Sequence, residues 1–286
     1  MLDLVRLRVL AAVAEHGSVT EAAKQLHYSQ PSVSQHLAKL EAETGAQLVQ
    51  RVGRGIRLTE AGRLLADRAV IILGRVDAAS TELATYVGLR AGRVRLAGFS
   101  SALVAFLPAA ATLLADRHPG LELEITETHP PEALQMLRAG TVDVAVGFRY
   151  ADTEPEEAGM RIVPLLDDPT YLLTSSTGTQ LTDYRDARWI GGCHRHQDNL
   201  ISLCARAGFT PQIAYHTDDV AVTQAMVAAG MGVAVAPGLA IREHVRPGVR
   251  AHELPDSSRE VYAATYGEPP DPPPTAALLA ALTTVA

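Results

Sequence analysis

The sequence has few of the features that mark secreted, metal-binding or membrane proteins. Its two cysteines, Cys193 and Cys204, are too few for a disulfide framework and lack the paired spacing of a zinc site, so we expect reduced thiols. No stretch reaches the roughly 18 to 20 uninterrupted apolar residues that cross a bilayer. Charges also interrupt the apolar opening MLDLVRLRVLAAVAEHG, unlike a signal peptide. The sequence therefore predicts a cytoplasmic protein with no membrane partner.

Positive charge is scarce and unevenly placed. Only Lys24 and Lys39 are lysines, and the formal net charge is −7. Residues 1–91 hold eleven Lys or Arg against nine Asp or Glu, whereas the remaining residues hold fourteen against twenty-three. A nucleic-acid partner would therefore be expected on the N-terminal side. With 286 residues, 47% of them apolar and 20% charged, the chain has the composition of a folded protein of two or three domains.

Residues 18–36, SVTEAAKQLHYSQPSVSQH, indicate two short helices joined by a tight turn. Ser18 and Glu21 form a capping box for the first of them. Ser29 can cap the second, and Pro31 is tolerated in its opening turn because the missing N–H would be unpaired there. Another helix precedes these two, since Asp3 can cap a segment with a 3.6-residue apolar period that ends at Gly17. The pattern therefore predicts three helices near the N-terminus.

The last of these helices has an apolar stripe of Val33, Leu37 and Leu40 and a polar outer face. On an isolated helix, a polar face of this kind is explained by its exposure to solvent and needs no binding partner. As the second of two crossed helices, however, it can present donors and acceptors to base edges and phosphates in a major groove. The residues predicted to do so are Ser29, Gln30, Pro31, Ser32, Ser34, Gln35, His36 and Lys39.

The next segment, AQLVQRVGRGIRLTEAG, predicts a β-hairpin around Gly53-Arg54-Gly55. Arg51, Arg54 and Arg57 would project from it. Arginines on such a wing can contact the phosphate backbone or the minor groove, which supplies affinity while the helix supplies sequence discrimination.

Taken together, GSVTEAAKQLHYSQPSVSQHLAKLEAETGAQLVQRVGRGIRLTEAG resembles the winged helix-turn-helix of LysR-type transcriptional regulators. The resemblance rests on the AA pair, the SQPSVSQ phrase, the following LE and the arginine-bearing wing closed by LTEAG. Family members usually have an aromatic residue where Val49 stands, which predicts looser packing of the wing. The resemblance implies a DNA-binding domain at residues 1–58, promoter DNA as partner and no cofactor.

Residues 59–91 contain no proline and begin with a capping threonine, which predicts one long helix. At about 1.5 Å per residue it would extend roughly 40 to 45 Å, too long for burial in one small domain. We expect a homodimer through residues 59–89, and the resemblance implies antiparallel pairing and a homotetramer. Packing on its own chain is the alternative. The apolar seam, with spacings of three and four, consists of Gly62, Leu65, Ala69, Ile72, Val76, Ala79, Leu83 and Tyr86.

From residue 92 onward, short β-runs alternate with amphipathic helical stretches, which predicts parallel α/β lobes. The resemblance implies a two-lobed effector domain of the periplasmic-binding-protein type over residues 92–286. Lobe I is predicted at 92–164 and 268–286, and lobe II at 165–267. The predicted fold class is thus α/β, with an N-terminal winged helix-turn-helix and a long linker helix.

Ligands of α/β sheets lie beyond the C-terminal strand ends, at helix N-termini and clefts. Ser100 and Ser101 open a helix there and can hold an anionic oxygen, and the Arg149 fork can pair a carboxylate. The serines can equally be plain helix caps and Arg149 a surface ion pair. The resemblance implies a cleft for a small, anionic metabolite. The candidate effector-binding residues are Ser100, Ser101, Thr128, Phe148, Arg149, His194, Thr217 and Pro237.

The phrase GGCHRHQDN allows two further interpretations. A metal site is disfavoured because the spacing is not of a familiar zinc type. Thiol sensing by Cys193 would require a lowered thiol pKa.

An enzyme is disfavoured because G-x-S-x-G, P-loop and H-E-x-x-H motifs are absent from the sequence. A surface solute-binding protein is opposed by the missing signal peptide, so a DNA-binding regulator is the favoured interpretation.

Overall fold

The computed structural model describes residues 2–52, 55–86, 92–153, 159–242, 244–267 and 269–286. The chain divides into two compact units, residues 1–92 with 135–143 and residues 93–134 with 144–286. Among the helices of the described residues, none is both long and apolar enough to cross a membrane.

Each of the first three helices begins at a capping side chain. The predicted caps Asp3, Ser18 and Ser29 each accept a hydrogen bond from the backbone N–H three residues further along. The left-handed backbone of Gly17 ends the first helix, as predicted. The helices are α1 (Leu4–His16), α2 (Val19–Gln25) and α3 (Gln30–Thr44).

These helices share a small apolar core. The AA pair, Ala22 and Ala23, is buried, which lets α1 and α3 approach α2 closely. The predicted stripe of Val33, Leu37 and Leu40 is buried as well. Because this stripe faces the core, the opposite side of α3 is left for solvent or a partner.

The wing is a two-stranded antiparallel hairpin, β1 (Val49–Val52) with β2 (Gly55–Leu58). Residues 53 and 54, including the predicted site residue Arg54, lie outside the described residues. Glu41 anchors the hairpin, since its Oε1 accepts the N–H groups of Leu48 at 2.8 Å and Val49 at 3.1 Å. The side chain of Val49 is partly buried against the helical core.

The predicted long helix is α4 (Glu60–Tyr86). Hydrogen bonds and a close backbone approach hold its first turn against the wing. The Thr59 hydroxyl accepts the N–H of Gly62 at 3.0 Å and donates to the carbonyl of Gln47 at 2.6 Å. A Cβ at Gly62 would lie 2.0 Å from the carbonyl oxygen of Leu48. Only glycine therefore permits this approach of helix to hairpin.

The two halves of the apolar seam of α4 differ in how far they are buried. Leu65, Ala69 and Ile72 pack against the core of the first three helices, as the alternative explanation requires. Val76 and Leu83 are 38% and 65% exposed and are available to a partner. Residues 87–91 of the predicted helix lie outside the described residues.

The second unit is built on one mixed sheet with the strand order β4-β3-β5-β10-β6-β9-β7-β8. Helices follow most of these strands along the chain, and the last helix comes after the final strand. The strands are β3 (Arg93–Gly98), β4 (Glu122–Glu127), β5 (Val144–Arg149), β6 (Met160–Thr174), β7 (Arg188–Gly191), β8 (Gln212–His216), β9 (Val233–Pro237) and β10 (Arg250–Tyr266). The helices are α5 (Ser100–Arg117), α6 (Pro130–Ala139), α7 (His194–Arg206), α8 (Val220–Ala228), α9 (Gly238–Ile241) and α10 (Pro273–Val285).

Two long antiparallel strands, β6 and β10, distinguish this sheet from the parallel one that the sequence predicts. The runs RIVPLL and YLLTS, expected as separate strands, form one continuous β6. β10 was not expected because its polar centre, PDSSRE, hides the strand pattern. β5 pairs with one end of β10, and β9 pairs with the opposite end of β6. The two strands therefore cross from one lobe to the other, while the numerical lobe boundaries stay predictions.

Replacing Gly62 with alanine is expected to lower the melting temperature of the first unit. Alanine is the better helix former by about 1 kcal/mol, but its Cβ would meet the Leu48 carbonyl, and such overpacking costs about 1 to 3 kcal/mol. Thermal unfolding followed by circular dichroism measures the change. Glu60→Ala, an exposed change in the same turn, serves as control. A Gly62→Ala protein that melts at or above the wild-type temperature would contradict the proposed close approach.

Candidate functional site

The outward face of α3 carries the predicted DNA-reading side chains. Gln30, Pro31, Ser34, Gln35 and Lys39 are exposed. They extend from the capped N-terminal turn to the middle of the helix. Amides, hydroxyls and one ammonium group on such a face can meet both base edges and phosphates.

The remaining predicted residues of this region differ from these in exposure and contacts. The Ser29 hydroxyl accepts the N–H of Ser32 at 3.3 Å, so it serves the fold as a cap. Ser32 and His36 are half-buried. On the wing, Arg57 is exposed in β2 and Arg51 lies in β1.

A cleft with an empty volume of about 660 Å³, part of it open to solvent, lies in the second unit. The predicted residues Ser100, Ser101, Phe148, Thr217 and Pro237 all line it. They come from both halves of the sheet. The two serines follow β3 and Phe148 lies in β5, whereas Thr217 follows β8 and Pro237 is the last residue of β9. Thr128 lines an adjoining depression together with the two serines.

Arg149 and His194 each contact a carboxylate elsewhere and are not among the residues that line this cleft. Arg149 donates from Nε and Nη2 to the two oxygens of Glu260, both at 3.0 Å. The two residues are opposite each other in the β5–β10 pairing, and strand alternation turns Arg149 away from the side of Phe148. The His194 side chain is 92% exposed, with Nδ1 2.7 Å from Asp198.

The arginine that does line the cleft is Arg259, which is not among the residues predicted from the sequence. Its Nε donates to Asp168 Oδ2 at 2.9 Å and its Nη2 donates to Ser101 Oγ at 3.0 Å. Its guanidinium carbon lies 4.8 and 4.5 Å from the ring centroids of Phe99 and Phe148. Such cation–π contacts strengthen when the cation is desolvated, and Arg259 is only 3% exposed.

Asp168 completes this arrangement from β6. Its second oxygen accepts the N–H of Leu239, the second residue of α9, at 2.8 Å. The pair thus connects β6 and β10 to the N-terminal turns of α5 and α9. Breaking a buried pair of this kind is costly because one charge is left without compensation. The signal in the sequence is weak, an aspartate and an arginine within long strands.

His196 lines the cleft and belongs to a hydrogen-bonded chain. His196 donates from Nε2 to the carbonyl of Val235 at 2.7 Å, so its Nδ1 accepts from the Tyr150 hydroxyl at 3.2 Å. Burial lowers the pKa of His196 and raises the pKa of Tyr150 to about 12. Both groups are therefore neutral near pH 7.

Cys193 lines the cleft beside this chain. Burial raises the pKa of its thiol, whereas thiolate-based sensing requires a lowered one. The described residues also contain no group of three or more His, Cys, Asp or Glu side chains arranged to hold a metal ion.

A contact between a histidine and an aspartate spans the cleft at its edge. His129, just before α6, places Nε2 3.4 Å from Oδ2 of Asp218, which lies just before α8. Both residues line the cleft and both are about half exposed. The cleft therefore contains one buried cation balanced by a buried carboxylate, and an acidic group at its edge.

Comparison with known proteins supports one family. Residues 4–63 match the model of the bacterial regulatory helix-turn-helix protein of the lysR family, and residues 88–286 match the LysR substrate binding domain. The chain is 30% identical to the HTH-type transcriptional regulator TfdS of Cupriavidus pinatubonensis over 281 residues, covering 91% of this chain and 90% of TfdS. It is 32% identical to LrrA, a probable HTH-type transcriptional regulator of Synechococcus elongatus, covering 92% and 90%.

The fold also has a counterpart among solved structures. The LysR family transcriptional regulator CbnR superposes with a TM-score of 0.72 at 24% identity, covering 100% of this chain and 99% of CbnR. This likeness concerns the fold. Together with the matching family models, the geometry of helix, wing and cleft means that the chain belongs to the LysR family of DNA-binding transcriptional regulators, which are not enzymes, and carries the family's effector-binding domain.

Proposed function

We propose that α3 reads promoter sequence, that the wing arginines hold the DNA backbone, and that a small anionic metabolite in the cleft modulates promoter binding. The observation that carries the metabolite proposal is the cluster of Ser100, Ser101 and Arg259 at the N-terminal turn of α5. A DNA partner also places the protein's site of action in the cytoplasm.

The division of labour on DNA follows from the chemistry of the exposed side chains. Gln30, Ser34 and Gln35 can donate and accept, which suits base edges, whereas Arg57 and Lys39 only donate and suit phosphates. CbnR, the structural counterpart, has also been crystallised with its target DNA, and it superposes on this chain with a TM-score of 0.69 at 24% identity. We transfer the DNA partner to this chain on those two grounds.

The anion proposal rests on donors that converge at α5. The helix N-terminus offers unpaired N–H groups and a partial positive charge. Because Ser101 Oγ accepts from Arg259, its own proton is free to be donated to a ligand oxygen. Since Asp168 already balances Arg259, these hydrogen bonds rather than an uncompensated cation would hold the ligand. A single carboxylate fits this environment better than a multiply charged anion, because Asp218 lies at the edge.

The exposed half of α4 supports the proposed homodimer through residues 59–89. Val76, Ala79 and Leu83 continue the seam whose first half is buried in the chain's own core. A second copy of the helix is the partner that this repeat fits. We also retain the homotetramer that the family resemblance implies.

Gln35→Ala is expected to weaken binding to a selected DNA site about ten-fold, while leaving nonspecific binding unchanged. Arg57→Ala is expected to weaken specific and nonspecific binding alike and to lower the salt slope by about 1. The site is first enriched from random duplexes, and affinities are then measured by gel shift against a scrambled duplex. An equal loss of specific and nonspecific binding in both variants would contradict the proposed division of labour.

Ser101→Ala is expected to weaken effector binding about ten-fold, the usual effect of losing a hydrogen bond to a charged group. Small carboxylates are screened by thermal shift, and the affinity of a hit is measured by calorimetry. Ser175→Ala, an exposed serine that is not among the cleft residues, is the control. DNA footprinting with and without the hit then tests regulation, and an unchanged footprint would count against the metabolite as a modulator.

Leu83→Glu is expected to reduce the assembly size because it puts a charge into the proposed helix–helix seam. Leu64→Glu is the matched control, since Leu64 is 61% exposed on the same helix but lies off the seam. Light scattering after size-exclusion chromatography measures both. The proposed interface fails if both variants keep the wild-type mass.

A further inference from the structure

Tyr28 occupies the turn between α2 and α3 and is held there by the backbone. Its N–H donates to the carbonyl of Ala23 at 2.8 Å, and the preceding His27 has a positive φ of 54°. The side chain is not buried in the core, since Tyr28 is 42% exposed. A tyrosine this exposed next to a proposed reading helix calls for an explanation other than burial.

The Tyr28 ring stacks on His36 of α3. The ring centroids are 5.8 Å apart and the planes are inclined by 21°. Side chains in a helix lean toward its N-terminus, so the imidazole of His36 points back along α3 toward the turn. The stack therefore holds His36 on the part of α3 that is proposed to enter the groove.

The two nitrogens of His36 have different surroundings. Nδ1 is buried and has no hydrogen-bond partner within the described residues. Because a buried N–H without an acceptor is rarer in proteins than a buried unpaired acceptor, Nδ1 is the nitrogen without the proton. The proton is then on Nε2, at the edge of the ring away from the buried atom.

We propose that Tyr28 is a positioning residue that fixes His36 so that its Nε2–H donates a hydrogen bond to DNA. The acceptor is a purine N7, a guanine O6 or a phosphate oxygen. The proposal rests on the proposed function, in which α3 reads a major groove. Tyr28 contributes by ordering the imidazole before DNA binds. Less side-chain entropy is then lost when the complex forms.

Fluorescence anisotropy on the full-length protein tests the coupling, with an enriched duplex and a scrambled duplex as probes. Tyr28→Phe keeps the stack and is expected to bind within about two-fold of wild type, whereas Tyr28→Leu is expected to lose about ten-fold on the enriched duplex. The double variant Tyr28→Leu with His36→Ala is expected to bind no worse than His36→Ala alone, because the two side chains make one contact.

The two duplexes also identify the acceptor. A loss confined to the enriched duplex supports a base, and an equal loss on both supports a phosphate. Equal losses in Tyr28→Phe and Tyr28→Leu would overturn the proposal, since the hydroxyl would then touch DNA itself. Additive losses in the double variant would also overturn it.

A measurement without DNA separates this inference from the proposed function. Nitrogen-15 shifts of the His36 ring report which nitrogen holds the proton, and we expect Nε2–H in the wild type and a mixture of tautomers in Tyr28→Leu. A proton on Nδ1 in the wild type would refute the inference alone. A wild-type protein that enriches no duplex would overturn the proposed function, and the DNA contact with it.

Discussion

The second unit depends on one buried ion pair, Arg259 with Asp168. It joins the two strands that cross between the lobes, and each partner also holds the first turn of a helix. Because both side chains are almost fully buried, neither charge can be relieved by water, so the four elements must keep their mutual positions. A ligand that contacts Ser101 is therefore one hydrogen bond away from the junction of the lobes.

In the first unit, side-chain hydrogen bonds and one close backbone approach impose a comparable constraint. Glu41 holds the start of the wing, and Thr59 and Gly62 bring α4 against the same residue, Leu48. Helix α3, the hairpin and α4 thus meet at one backbone segment. A force that moves α4 would be transmitted to the wing and to the reading helix by these contacts, which is the mechanical property that a ligand-controlled regulator requires.

Local features of the fold were predictable from the sequence because their causes are local. Asp3, Ser18 and Ser29 cap helices through N–H groups three residues away, and the stripe of α3 follows from its period. Ser100 and Ser101 were found because helix N-termini follow strands in a regular order. The strand β10 was missed because its polar centre gains its partners from β5 and β6, which are distant in the chain.

The sequence by itself determined the family, the three capped helices, the wing and the general alternation of strands with helices, since each depends on residues close together in the chain. Only the tertiary structure decided which arginine lines the cleft. Arg149 satisfied every local criterion, yet its partner Glu260 comes from a strand 111 residues away. Arg259 gained its role from Asp168, 91 residues distant, because the free energy of a buried charge depends on neighbours that only folding assembles.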